Sequence, residues 1–143
     1  KRKIKMAEKI ITANGGSVDG KTIAILGLAF KSNTDDIRYS PALVIIKELV
    51  KRGAKIQAYD QEAIENTKKE LGENRAIQYF SRAYEAINSA DATVIATEWE
   101  EFRNLDLEKI KQLQKSNVLV DLRNMVDAKK AKGLGFKYFG IGG

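Results

Sequence analysis

Four charged residues, Lys31, Asp35, Asp36 and Arg38, fall within eight positions of one another in the stretch GLAFKSNTDDIRYSP (residues 27–41), which holds a single glycine, Gly27. The two cations can take phosphate in different ways, Lys31 as a point charge and Arg38 as a planar fork donating two parallel hydrogen bonds. Thr34, Asp35 and Asp36 can fix the loop through side-chain to backbone hydrogen bonds. The same residues also admit a plainer reading, a polar loop whose charges neutralise one another, Asp36 pairing with Arg38 for instance. Two further segments carry unusual side chains. TEWEEF (residues 97–102) contains the single tryptophan, Trp99, which can stack on a base or cover the edge of a core. DLRN (residues 121–124) sets Arg123 where it can reach the same crevice as Lys31, or pair at the surface with Asp121 or Asp127.

Composition limits the chemistry open to these groups. The chain has 143 residues with no cysteine and no histidine, which removes disulfides, thiol nucleophiles, imidazole bases and the commonest zinc ligands, and no metal site is expected. With 43% hydrophobic and 31% charged residues it reads as a soluble globular domain, and no apolar run is long enough to cross a bilayer. Of the net charge of +6, Lys1, Arg2, Lys3, Lys5 and Lys9 against Glu8 place +4 in the first nine residues. The body is therefore nearly neutral. A basic tail without interleaved aromatics argues against a nucleic-acid partner. No secretory signal pattern is visible, so a cytoplasmic setting is expected. The chain begins with Lys and is expected to be a portion of a longer protein.

The elements that would position these loops follow from periodicity. Ile4, Ala7 and Ile11 keep helical spacing until Asn14-Gly15-Gly16, which reads as the last turns of a helix whose packing partner is absent. Strands are expected at residues 22–26, 56–59, 76–80, 93–97, 118–121 and 137–141. Helices are expected at 62–71, 82–88, 106–114 and 127–134, and between Ser40 as N-cap, Pro41 as first helical residue and Gly53 as C-terminal cap. This alternation predicts an α/β fold, a Rossmann-like doubly wound parallel sheet of about six strands with helices on both faces. Ligands of such sheets gather at the carboxyl ends of the strands. The segments 27–40, 97–105 and 121–126 all fall there.

The motifs GLAFKSNTDDIRYSPA, TEWEEF and VDLRN, in this order and at these spacings, resemble the C-terminal UDP-binding domain of the UDP-glucose/GDP-mannose dehydrogenase family. The resemblance covers residues 15–143, and TEWEEF is most like the UDP-glucose 6-dehydrogenase branch rather than the acetamido-sugar branches. It implies a complete enzyme with an N-terminal NAD-binding domain, a central helical dimerisation segment and a C-terminal domain that clasps the UDP end of the sugar nucleotide. That enzyme oxidises the sugar C6 alcohol twice, consuming two NAD+ and giving UDP-glucuronate. Residues 1–14 would be the end of the central dimerisation helix and residues 15–143 the UDP-sugar-binding domain of a homodimer. The resemblance further implies that Phe30, Lys31 and Arg123 bind the substrate, and that Arg38 reaches the NAD pyrophosphate held by the other domain.

Departures from the family pattern are informative. The G-x-G-x-x-G fingerprint and the cysteine that forms the thioester intermediate are absent from this chain, so it is expected to be inactive alone and to hold no catalytic residue. Tyr39 stands where a small acidic residue is common, and Ser32 replaces a frequent proline. From the residues themselves a second reading stays open, a stand-alone nucleotide-binding or regulatory module without catalysis.

Overall fold

Apolar runs too short for helices become the strands of one sheet. The computed structural model describes residues 2–141, without the side chain of Arg2; Lys1, which belongs to the expected basic tail and terminal helix, and residues 142–143 lie outside the described residues. Strands β1 (Thr22–Leu26), β2 (Lys55–Tyr59), β3 (Ile77–Tyr79), β4 (Ala92–Ile95), β5 (Val118–Asp121) and β6 (Lys137–Gly140) pair in parallel in the order β3-β2-β1-β4-β5-β6. This is the expected doubly wound sheet. Strands β4 and β5 are buried along their whole length and β1 nearly so. Both of their faces meet helices, which is why they read as continuous apolar runs rather than alternating ones.

Seven helices cover the sheet among the described residues: α1 (Arg2–Ala13), α2 (Pro41–Lys51), α3 (Ile64–Leu71), α4 (Ala83–Ile87), α5 (Glu100–Arg103), α6 (Leu107–Leu113) and α7 (Ala128–Gly133). Successive strand residues point to opposite faces. Ile23 and Ile25 join Ile10, Ile46, Leu49, Val94 and Val120 in one core, while Ala24 and Leu26 join Ile87, Phe102, Ile110 and Leu119 in the other. Helices α2 and α3 serve the β1–β3 half of the first face, and α4 to α7 serve the second, as right-handed crossovers require.

This arrangement leaves the first face of β4, β5 and β6 without a crossover helix, and α1 fills it. Ala7, Ile10, Ile11 and Ala13 are buried there, the Lys9 ammonium donates to the Gly140 carbonyl at the end of β6, and Lys21 Nζ donates to the Asn14 carbonyl at 2.5 Å. The expectation of a helix lacking its partner is thereby corrected, because the partner is the domain's own sheet. Among the described residues no helix is long and apolar enough to cross a membrane.

Local chemistry accounts for the element ends. Asp106 and Asp127 cap α6 and α7 by accepting from Lys109 N and Lys130 N. Helix α2 ends at Lys51, with Arg52 as its C-cap and Gly53 following at φ +94°. Helix α3 begins at Ile64 and not Glu62, since the amides of Glu62 and Ala63 are bound by Asp60. Helix α5 lies inside a segment expected to be loop; four residues are too few to show helical periodicity.

Ile10 carries the α1 contact, being fully buried in the first core. Ile10→Ala is expected to destabilise the fold by about 2–5 kcal/mol. In urea unfolding this would lower the midpoint with an unchanged slope, and an unchanged midpoint would show that α1 does not complete the core.

Candidate functional site

The neighbouring strands β1 and β4 send their chains toward opposite faces, so a crevice opens at their carboxyl ends. Gly27 starts the first loop at φ +104°, and a Cβ there would stand 2.4 Å from Thr97 Oγ1 and 2.5 Å from Thr97 Cβ. Only glycine fits, in space and in backbone angle. Its amide donates to the Tyr59 carbonyl at 2.8 Å, and the Thr97 hydroxyl donates to the Ala29 carbonyl at 3.0 Å.

Asp60, at the end of β2 and 2% exposed, holds this junction. Its Oδ2 accepts from Leu28 N (2.7 Å), Ala29 N (3.0 Å) and Trp99 Nε1 (3.0 Å), and its Oδ1 from Glu62 N (2.8 Å) and Ala63 N (2.9 Å). The next amide, Phe30 N, donates to the Asp36 carbonyl at 2.7 Å. In a dinucleotide-binding sheet the amides after the first strand face the pyrophosphate and the acid after the second takes the ribose. Here the acid and the amides bind each other. The turn after β1 therefore does not fit a dinucleotide held in the usual cradle.

Those side chains stand outward. Phe30 and Lys31 are exposed, and Lys31 has no hydrogen-bond or ion-pair partner among the described residues. Thr34 Oγ1 accepts from Asp36 N (3.1 Å), and Asp36 Oδ1 from Arg38 N (2.9 Å). Asp35 is tied instead through its carbonyl, which accepts from Asn66 Nδ2 at 2.9 Å. The Asp36 carboxylate takes Arg38 Nε (3.0 Å) and Nη2 (2.8 Å), although the Arg38 side chain remains 80% exposed. These charge-assisted bonds hold the Asp36 carboxyl down at about 2 and push the Arg38 guanidinium up. Tyr39 follows at φ +62°, a left-handed conformation that costs about 1–2 kcal/mol for a residue with a Cβ. Ser40 occupies the N-cap position but makes no side-chain cap; its hydroxyl donates to the Leu28 carbonyl at 2.7 Å. With no acidic residue in the first turn either, the amino end of α2 keeps its uncompensated positive dipole.

Arg123 pairs with neither of its expected surface partners. Its Nη2 donates to Glu98 Oε1, from the segment after β4. Asp121 is buried and accepts from Arg123 N (3.2 Å), Met125 N (3.0 Å), Val126 N (2.8 Å) and the Tyr138 hydroxyl (2.9 Å), while Asp127 caps α7. Burial and the Asp121 carboxylate push the Tyr138 hydroxyl up. Trp99, 4% exposed, covers a core edge beside Phe102 rather than standing free to stack on a base.

Arg123 lines a central crevice of about 200 Å³ with Met6, Pro41, Ala96, Leu122 and Ile141. Arg38 lines a separate groove with Lys3, Tyr39 and Lys47, on the other side of the start of α2. Phe30 and Lys31 line neither. A further hollow of about 760 Å³ lies along edge strand β3 and contains none of the expected site residues. Sequence reasoning missed Asp60 and Glu98. A strand-ending Asp followed directly by a helix was the available signal for the first; Glu98, 25 residues from Arg123, gave none.

These features define a class: a doubly wound α/β domain whose turn after β1 is closed by an acid from β2 instead of forming a glycine-rich cradle. A family profile described as "UDP-glucose/GDP-mannose dehydrogenase family, UDP binding domain" matches residues 24–128. The chain belongs to the UDP-glucose/GDP-mannose dehydrogenase family. It is 43% identical to a UDP-glucose 6-dehydrogenase of Rickettsia conorii over 137 residues, covering 96% of this chain and 32% of that protein. It is 44% identical to the corresponding enzyme of Rhizobium meliloti over 141 residues, covering 99% and 32%. Among solved structures it is similar to a UDP-glucose dehydrogenase from Pyrobaculum islandicum, with a TM-score of 0.76 and 28% identity, covering 97% of this chain and 29% of that one. The chain thus spans about a third of the length of the curated relatives it matches.

Asp60→Asn replaces one oxygen by an amide that cannot accept, so up to three of the five donors lose their partner. A destabilisation of about 2–4 kcal/mol is expected, with a red shift of Trp99 fluorescence; unchanged emission would remove Asp60 from its anchoring role. The Asp36 carboxyl, lowered in the fold, should stay ionised through pH 3. Its contribution is present above the ordinary carboxylate range and is lost as pH falls through about 2. Carboxyl NMR should show this titration return toward 3.8 in Arg38→Ala, and no movement would dissolve the pair.

Proposed function

We propose that this domain supplies the UDP recognition of an NAD-dependent UDP-glucose 6-dehydrogenase that oxidises UDP-glucose to UDP-glucuronate. Residues 1–14 would be the end of the central dimerisation helix, and missing domains would bring the catalytic cysteine and the NAD cradle. Phe30, Lys31 and Arg123 are the substrate contacts in this reading, and Arg38 is a contact to NAD held by the other domain. The setting would be cytoplasmic and the full protein a homodimer.

The observation that carries the reading is the group of positive features at the carboxyl ends of the central strands. Arg123 lies in one crevice with Pro41, at the uncapped amino end of α2, and Lys31 stands exposed and unpaired among the described residues on the loop that feeds α2. A helix amino end with adjacent cations suits the diphosphate of a sugar nucleotide. A crevice of about 200 Å³ falls below the roughly 300–1,000 Å³ of complete small-molecule sites. The domain would therefore clasp part of the ligand, leaving the sugar to the domains beyond this chain.

Calorimetry with UDP on this chain tests the reading. Binding is expected to be weak, because part of the binding energy belongs to absent domains, and to fall about tenfold or more in Lys31→Ala and in Arg123→Ala. Equal heats in wild type and both variants would overturn the assignment.

A further inference from the structure

Glu98 stands between two anchored neighbours. The Thr97 hydroxyl donates to the Ala29 carbonyl and the Trp99 indole to Asp60 Oδ2, each at 3.0 Å, and both residues are buried. With the side chains on either side of it fixed, Glu98 has little freedom of placement at the end of β4, where its Oε1 accepts from Arg123 Nη2 across the exit of β5. The backbone of Arg123 is held too, its amide donating to Asp121 Oδ1 at 3.2 Å. Among the described residues no other carboxylate pairs with this guanidinium. Asp121 is filled by amides and the Tyr138 hydroxyl, Asp127 caps α7, and the other five residues lining the crevice carry no charge. Nε and Nη1 of Arg123 have no partner among the described residues, so the bond to Glu98 leaves donors over.

We infer that Glu98 is a positioning residue, whose carboxylate holds the Arg123 guanidinium at the crevice so that its remaining donors are presented to the diphosphate of the ligand. The inference rests on the substrate contact proposed for Arg123 and adds the residue that makes that contact effective. A carboxylate beside an anion site has two opposed effects: its charge repels the anion, while its bond orients the arginine. The Glu98 and Arg123 side chains are 40% and 32% exposed, so water and salt screen the repulsion. Orientation is not screened, since a guanidinium already held gives up less side-chain freedom when the anion arrives. Orientation therefore outweighs repulsion at physiological ionic strength. Thr97, one residue before, ties down the loop that carries Lys31, so the segment 97–99 sets the placement of both cations.

Two measurements on this chain test the role. Nitrogen-15 relaxation of the Arg123 Nε–H group should show the side chain loosened in Glu98→Ala and held in Glu98→Gln, whose amide oxygen still accepts. Calorimetry with UDP at roughly 0.15 M salt should show binding weakened about threefold to tenfold in Glu98→Ala. In Glu98→Gln it should equal or exceed wild type, because the bond stays and the repulsion goes. Thermal unfolding of each variant checks that the fold is retained. The pair Glu98→Ala with Arg123→Ala should bind UDP no more weakly than Arg123→Ala alone. An Arg123 side chain equally ordered in Glu98→Ala, additive losses in the double variant, or UDP binding tightened in Glu98→Ala as in Glu98→Gln would overturn the inference. UDP binding indifferent to Arg123→Ala, with the arginine still loosened by Glu98→Ala, would instead sink the substrate contact of Arg123 and leave its dependence on Glu98 standing.

Discussion

One buried carboxylate sets the geometry at the carboxyl end of the sheet. Asp60 collects five N–H donors from three separate segments, the loop after β1, the entry to α3 and the indole of Trp99. A carboxylate at this depth is costly unless its lone pairs are filled, and here backbone and indole donors fill them without a cation. Asp121 does similar work at the end of β5, the strand that corresponds to β2 in the other half of the sheet. The two acids turn flexible strand exits into a fixed rim, from which Lys31, Arg38 and Arg123 project.

The fold was readable because its signals are local. Buried parallel strands announce themselves as short apolar runs, and Asp106 and Asp127 cap the helices they precede. The failures share a physical cause, since each depends on a choice between partners distant in sequence. A Ser-Pro pair has the same letters whether the hydroxyl turns into the helix or, as in Ser40, back to Leu28. Arg123 had acidic neighbours at Asp121 and Asp127, but both were engaged by backbone amides, so the guanidinium turned to Glu98. The amphipathic stripe of α1 showed that a surface must cover it without saying which one.

The placement of the proposed site residues at one end of the sheet was legible, while their grouping was not. Phe30, Lys31, Arg38 and Arg123 all lie near the carboxyl ends of strands, yet Arg123 and Arg38 open into different hollows on either side of the start of α2. A long charged loop has two ends, and sequence does not say that the first is tied down by Asp60 while the second is free to face outward.

The pairing state of the cations decides how each can act on an anion. Arg38 and Arg123 sit in ion pairs with Asp36 and Glu98, so each pair is close to neutral and an incoming phosphate must share the guanidinium with a carboxylate. Exposed pairs of this kind add only about 0–1 kcal/mol of stability. Their value to a ligand is orientation: a fork already held in place loses less side-chain entropy on binding. Lys31 is the converse, exposed on a flexible stem with no hydrogen-bond or ion-pair partner among the described residues, and supplies charge without fixed geometry. In the proposed reading, attraction at the rim would come mainly from Lys31 and the open end of α2, and specificity from the two braced arginines. That division requires the loop between Ala29 and Arg38 to keep its shape, which returns the demand to Asp60.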